Sequence, residues 1–258
     1  MIVRTPGAPT VTSVVWSASV ESSMLPSPGT IRPCPLPSGA SALGQLSSSF
    51  VDGPRLLSHL AERRHSGALI DRGSERVQVA ILHQGAIVAL VAVDETGTHR
   101  LDALSMPTPA SREVDDLTVS TYRPEIAVAL AQMINLPERF SRLPANFVDF
   151  SGLLAHLGRE RASGAVRVVC DGDVGVVLLR AGAVLGAYSG RLPELDDAEV
   201  LFGLAAAPEA EVDVHTTAEI ELTGVSAGDL VWSRLTSPRP AAPATEVAAA
   251  TAAEREAG

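Results

Sequence analysis

The chain has 258 residues, 46% of them apolar but only 3% aromatic, with a net charge of −10 and a pI near 5.0. This balance argues against duplex nucleic acid and anionic lipid as partners, because both are gripped by clustered Lys and Arg. All 20 basic residues are Arg, which excludes Schiff-base chemistry, a lysine base and the lysine of a phosphate-binding P-loop.

Residues 1–48 are rich in Ser, Pro and Thr and show little periodicity. Such a segment buries too little apolar area to offset its ordering entropy, so a disordered leader is expected. Met24 offers an alternative start, which would leave residues 1–23 untranslated. Behind Arg4, the residues Pro6, Pro9, Thr12, Ser13 and Ser17 interrupt any apolar run of signal-peptide type. Cys34 lies in the Pro-rich part and Cys170 in the apolar run Val168-Val169-Cys170. A disulfide framework is not indicated, and a reducing, cytoplasmic setting is expected. The most apolar stretch, Val77–Val93, carries Gln78 and a central His83-Gln84-Gly85, which fits two strands around a turn rather than a membrane span.

From residue 50 the chain repeats itself. Residues 50–89 and 147–186 align without a gap at a shift of 97, and 16 of the 40 positions are identical. Average residue usage gives roughly three by chance. An internal duplication is therefore expected, and with it two tandem units. Each opens with a helix whose apolar positions recur at helical spacing: Leu56, Leu57 and Leu60, then Leu153, Leu154 and Leu157. Asp52 and Asp149, or Ser151, are the expected caps. Both helices run into Arg-x-Ser-Gly, where Gly67 and Gly164 are expected as left-handed stops. The runs Ala68–Asp71, Val77–Leu82 and Ala86–Val93 then predict a three-stranded meander, matched by Ala165–Val169, Val174–Leu179 and Ala183–Tyr188.

The correspondence continues more loosely. Leu117–Thr121 resembles Val212–Thr216, a predicted extra strand, and Glu125-Ile126 resembles Glu219-Ile220. Phe140-Ser-Arg-Leu143 resembles Trp232-Ser-Arg-Leu235, both with a helical context. The expected units are residues 50–143 and 147–235, joined only by Pro144-Ala145-Asn146 and so forced into contact. Asp196–Ala206 predicts a helix that Pro107 and Pro109 would break in the first unit. Residues 236–258 read as a disordered Ala/Pro-rich tail. The fold class expected is α+β.

The order Leu-Leu-x-x-Leu, Arg-x-Ser-Gly, strand, acidic turn, strand, x-Gly-x-[Ile/Val] resembles the PATAN-type domain. This is a bacterial domain of unknown function found in signalling proteins, often beside response-regulator receivers. The matching stretches are Leu56–Ala89 and Leu153–Ala187, and in the second unit the match extends through Glu199–Leu204 and Glu211–His215. The first unit departs there and matches only in part. The resemblance implies a non-catalytic interaction module and supplies no catalytic residues, metal ligands or cofactor.

Four residues are candidates for partner binding because both units keep them: His59, His156, Arg64 and Arg161. The histidines would need further repeated ligands to hold a metal, and Glu62 is replaced by Arg159. They are read first as boundary histidines. The arginines end helices, where a cation suits the dipole, and Arg is also a frequent interface anchor. Ser66 and Ser163 lack a nucleophile elbow and read as parts of the helix stop. Asp115-Asp116 and Asp196-Asp197 read as solvated or capping acids, and the glycines of 171–190 lack a dinucleotide spacing. The expected role is a protein-interaction or scaffolding module in bacterial signalling, with a signalling protein as partner and homo-oligomers an open option. The alternative is a small-molecule sensor with its ligand in the seam between the units.

Overall fold

Strands and helices follow one another as β1 (Thr30–Ile31), β2 (Ala40–Ser47), α1 (Gly53–Glu62), β3 (Gly67–Arg72), β4 (Val77–His83), β5 (Ala86–Asp94), β6 (Gly97–Arg100), β7 (Asp116–Thr121), α2 (Pro124–Asn135), β8 (Phe140–Pro144), α3 (Phe150–Arg159), β9 (Ser163–Cys170), β10 (Asp173–Arg180), β11 (Ala183–Ser189), α4 (Phe202–Ala205), β12 (Glu211–Thr217) and β13 (Val225–Ser226). This is a computed structural model, and it describes residues 30–31, 34–47, 51–72, 76–101, 116–218 and 225–226. The expected tail, residues 1–29, the Pro107–Pro109 region, Asp115, Glu219-Ile220 and the Trp232 motif lie outside the described residues.

The strands form two antiparallel sheets, so the fold class is α+β. One is ordered β1-β6-β5-β4-β3-β7-β2 with β13 added on β5; the other is ordered β11-β10-β9-β12-β8. The run β5-β4-β3-β7-β2 thus has the same order as β11-β10-β9-β12-β8. Local details recur at the same shift of 97. Asp52 accepts the N–H of Arg55 at 3.1 Å and Asp149 that of Gly152 at 3.0 Å. A bulge falls between Ile81 and Leu82 in one sheet and between Leu178 and Leu179 in the other. Both meanders turn through two left-handed residues, Gln84-Gly85 and Ala181-Gly182, the geometry that suits a two-residue hairpin.

Helix α2 is the centre of the molecule. Ile126 to Ile134 are all buried, as a helix apolar on every side requires. It packs on β3, β4 and β5 of the first sheet and on β9, β10 and β12 of the second. One hydrophobic cluster joins Ile70, Val79, Ile81 and Val91, the helix, and Ala165, Val176, Leu178 and Tyr188. The outer face of the first sheet is covered by Leu57 and Leu60 of α1, and the outer face of the second by Phe150 and Leu157 of α3 with Leu201. The layers are therefore helix, sheet, helix, sheet, helix.

Four expectations are corrected. The leader expected to be disordered contains β2, and its Cys34–Gly39 portion is held between the sheets: Pro35 and Pro37 are buried. The chain's two tyrosines, Tyr122 and Tyr188, donate to the Pro37 and Pro35 carbonyls at 2.9 and 3.0 Å. Composition misled here because proline carries no N–H, so Pro35 and Pro37 enter the interior with only their carbonyls to satisfy, while the Ser38 N–H donates to the Pro193 carbonyl at 2.6 Å. Second, Phe140–Leu143 is strand, not helix, and pairs with β12, with Val212 opposite Leu143 and Val214 opposite Phe140. It belongs to the second sheet, so Pro144-Ala145-Asn146 is no linker, and the crossing between the halves falls at residues 136–139. β2 holds the corresponding place beside β7, with Leu117 opposite Leu46 and Val119 opposite Leu43.

Third, the helices are stopped by Arg64 (φ 48°) and Arg161 (φ 55°), not by glycine. Gly67 and Gly164 are required for a different reason. A Cβ on them would stand 1.9 Å from the Ser120 carbonyl oxygen and 2.1 Å from that of His215, each on the neighbouring strand. Fourth, β13 falls within the expected second unit, 147–235, but pairs with Ile87 and Ala86 of the first sheet.

The proline segment makes Cys34 a sensitive reporter. Its Sγ lies 3.4 Å from the Met133 Sδ of α2, and burial pushes the thiol up to about 12. The thiolate is the species that alkylates. Iodoacetamide at mildly alkaline pH should therefore leave Cys34 unmodified in the native protein and label it within minutes in denaturant, as read by peptide mass spectrometry. Rapid native labelling would show that the segment does not sit between the sheets.

Candidate functional site

The four candidate residues are not brought together. His59 and Arg64 are exposed at α1, on the outer face of the first sheet; His156 and Arg161 are exposed at α3, on the outer face of the second. They lie on opposite sides of the molecule. His156 faces Glu160 at 3.2 Å, and Glu160 also accepts from both terminal nitrogens of Arg139 at 2.5 and 3.3 Å. The Arg139 hydrogen bond holds the Glu160 carboxyl below its ordinary value. The residue equivalent to Glu160 in the first half is Arg63, so His59 lacks that partner.

Ser66 and Ser163 serve as turn pins. Each hydroxyl accepts a backbone N–H from the next hairpin, Gln84 at 2.9 Å and Ala181 at 2.8 Å. A hydroxyl committed in this way beneath a strand is not presented as a nucleophile. The one histidine–hydroxyl–carboxylate line among the described residues, His99, Thr96 and Asp94, lies in the tight β5–β6 turn. There Thr96 Oγ1 donates to Asp94 at 2.5 Å and sits 2.8 Å from His99 Nε2. The hydroxyl proton points at the carboxylate, so the imidazole faces the hydroxyl oxygen and is not placed to remove that proton.

Two features of the second half stand out, and the sequence reading singled out neither. The first is a polar cluster on the inner face of the second sheet, beside the end of α2. Arg167 of β9 stands opposite Asp213 of β12. Its Nε and Nη2 reach Asp213 Oδ2 at 3.0 and 2.6 Å, and both side chains are almost fully buried. Asp213 Oδ1 accepts the backbone N–H of Arg142 at 2.8 Å. Glu138, in the crossing between the halves, places Oε1 at 3.6 Å from Arg167 Nη2 and 3.9 Å from His215 Nε2.

His215 is 7% exposed, yet neither ring nitrogen has a hydrogen-bond partner. Burial lowers its pKa first and the Arg167 charge second, against the opposing pull of Glu138, Asp213 and the nearby Leu136 carbonyl. The imidazole is therefore neutral at pH 7. In the other half the corresponding positions are Ile70 opposite Thr118, with Ser120 in place of His215. A legible signal existed: Val166-Arg-Val168 and Val212-Asp-Val214 each set one charge in an apolar strand, at opposed positions.

The second feature is exposed apolar area. The large hydrophobic side chains exposed among the described residues are Phe140, Phe147, Val184, Leu192 and Phe202, all in the second half. Phe147 is 83% exposed, just before α3. Phe202 packs edge-on against Phe150, the first residue of α3, with ring centroids 5.9 Å apart. Phe140 carries the Arg139 guanidinium 5.4 Å from its centroid.

No described helix is long and apolar enough to cross a membrane. Comparison with protein-family models, with curated proteins and with solved structures finds no match for the chain.

Proposed function

We propose that the protein is a non-catalytic interaction module built from two descendants of one ancestral unit, and that it works as a scaffold or adaptor in bacterial signal transduction, as its PATAN-like motifs imply. The shared strand order, the matched caps and bulges, and the paired Ser66/Ser163 and Gly67/Gly164 roles support the common ancestry. The observation that carries the interaction reading is the placement of exposed apolar side chains. In a chain with five phenylalanines, Phe140, Phe147 and Phe202 are at least 39% exposed, and all lie in the second half. Aromatic side chains are favoured anchors at interfaces.

The surface is read through side chains rather than by strand addition. The edge strand β8 has a left-handed Arg142 (φ 52°), a bulge against β12 and Pro144 at its end. These are devices that blunt a sheet edge. The partner is a signalling protein offering an apolar concavity for Phe147, with Arg161 and His156 of the same α3 side as flanking contacts, while Arg64 and His59 lie on the opposite face.

The test is site-directed photo-crosslinking in the native host. A photoreactive phenylalanine analogue at 147 should give discrete protein adducts, and Phe202→Ser should reduce them several-fold. The same analogue at the exposed Gln84 in the first half should give none. Equal adduct patterns at 147 and 84 would overturn the reading. The alternative, a sensor with a ligand between the halves, is favoured by the polar cluster alone, since α2 fills most of that space.

A further inference from the structure

We infer that Glu138, Asp213 and His215 form a binding site for a single divalent transition-metal ion, with zinc the best-matched occupant. Their ligand atoms all lie within 4.8 Å of one another. Tetrahedral ligands at zinc bond lengths of about 2.0–2.2 Å sit roughly 3.4 Å apart. The Glu138–His215 separation of 3.9 Å is therefore closed by a small movement of one side chain. Glu138 is the side chain free to make it, being about one-third exposed and on the crossing segment rather than in a strand. The other two ligands are fixed two residues apart on β12, facing the same side of the sheet.

Two observations point to a ligand rather than to a structural ion pair alone. His215 is 7% exposed, neither ring nitrogen completes a hydrogen bond although the Leu136 carbonyl lies near, and Nε2 faces Glu138. A desolvated imidazole without a partner costs stability, and metal coordination would remove that cost. Moreover, the first half builds the same strands with Ile70, Thr118 and Ser120 at these positions, so the fold does not require the cluster.

Charge selects the ion. Glu138, Asp213 and Arg167 together carry −1, so a bound divalent cation leaves the site at +1. That equals the net charge of a two-histidine, one-carboxylate zinc centre. Arg167 and the Arg142 N–H then act as outer supports that orient the Asp213 carboxylate. Calcium and magnesium are disfavoured because they seek many oxygen ligands and no imidazole.

The experiment titrates the full, tag-free chain with Zn2+ by calorimetry and with Co2+ by its ligand-field absorption. One equivalent should bind. Glu138→Gln, a substitution at a partly exposed position, and His215→Gln should each weaken binding at least tenfold. Cys170→Ser should leave it unchanged. That control matters because Cys170, Asp171 and Glu209 form a second group of metal-type side chains. Circular dichroism of each variant guards against misfolding, and Glu138→Gln alone decides if His215→Gln does not fold. Absence of binding by the wild type, or binding lost in Cys170→Ser and retained in Glu138→Gln, would overturn the assignment.

Discussion

Asp213→Ala will lower the stability of the metal-free protein by about 3–5 kcal/mol, because it strands a buried guanidinium. Asp213 is fully buried and Arg167 is 3% exposed. Their contacts at 2.6 and 3.0 Å put two hydrogen bonds from one cation onto one oxygen. Glu138, at 3.6 Å and partly solvated, compensates only in part. The same substitution also takes the acceptor from the Arg142 N–H, at a residue whose left-handed backbone is already unfavourable.

The companion measurement separates the cost of breaking the pair from the worth of having it. Asp213→Leu combined with Arg167→Met removes both charges and keeps most of the volume. Buried pairs replaced in this way are often neutral or stabilising. The double variant should recover most of the loss, approaching the wild-type urea midpoint, as the first half already does with Ile70 and Thr118 at the same places. Two outcomes would contradict the argument: a single variant within about 1 kcal/mol of wild type, or a double variant no better than the single.

The legible part of this fold was the part set by local pattern. Apolar alternation, turn residues and the spacing of Leu56, Leu57 and Leu60 were sufficient for both meanders and both opening helices, since each of these elements buries one face. The α2 helix was missed because it buries every face. Ile-Ala-Val-Ala-Leu-Ala-Gln-Met-Ile has no polar stripe to set a period, and a run of that kind is ambiguous between helix and strand. The Pro-rich segment was missed because its order comes from long-range donors to its carbonyls, the hydroxyls of Tyr122 and Tyr188, 85 and 153 residues away.

The candidate sites fared differently, again for a physical reason. His59, His156, Arg64 and Arg161 were chosen because both halves keep them, and that criterion selects what the fold needs. Arg64 and Arg161 stop helices, as their left-handed backbones show. A buried polar cluster that the fold does not require lies instead where the halves differ, at Arg167, Asp213 and His215 against Ile70, Thr118 and Ser120. The strand register aligns these positions, Arg167 with Ile70 and Asp213 with Thr118, where the sequence correspondence beyond residue 186 is loose.

Leu130→Ala will test whether the halves are separable units at all. Leu130 is fully buried in α2, inside the single cluster that includes side chains from both sheets. Truncating such a leucine costs about 2–5 kcal/mol, the sum of lost transfer free energy and a cavity that close packing does not refill. In a chain of this size the midpoint should fall on the order of 10 °C. Two independent domains joined by a linker would melt in two steps, and a core substitution would move only one of them. A shared central helix predicts otherwise: calorimetry should show one transition for wild type and one for Leu130→Ala, shifted as a whole. Near-ultraviolet signals from Tyr122 and Tyr188, one beside each sheet, should be lost together. If the variant instead splits the trace, with one step held at the wild-type temperature, α2 belongs to one half only and the sandwich arrangement fails. Leu57→Ala, on the outer face of the first sheet, is the matched control. It should shift the same single transition by less, because a residue at 6% exposure under a surface helix leaves a cavity that solvent and neighbouring side chains can partly relax into.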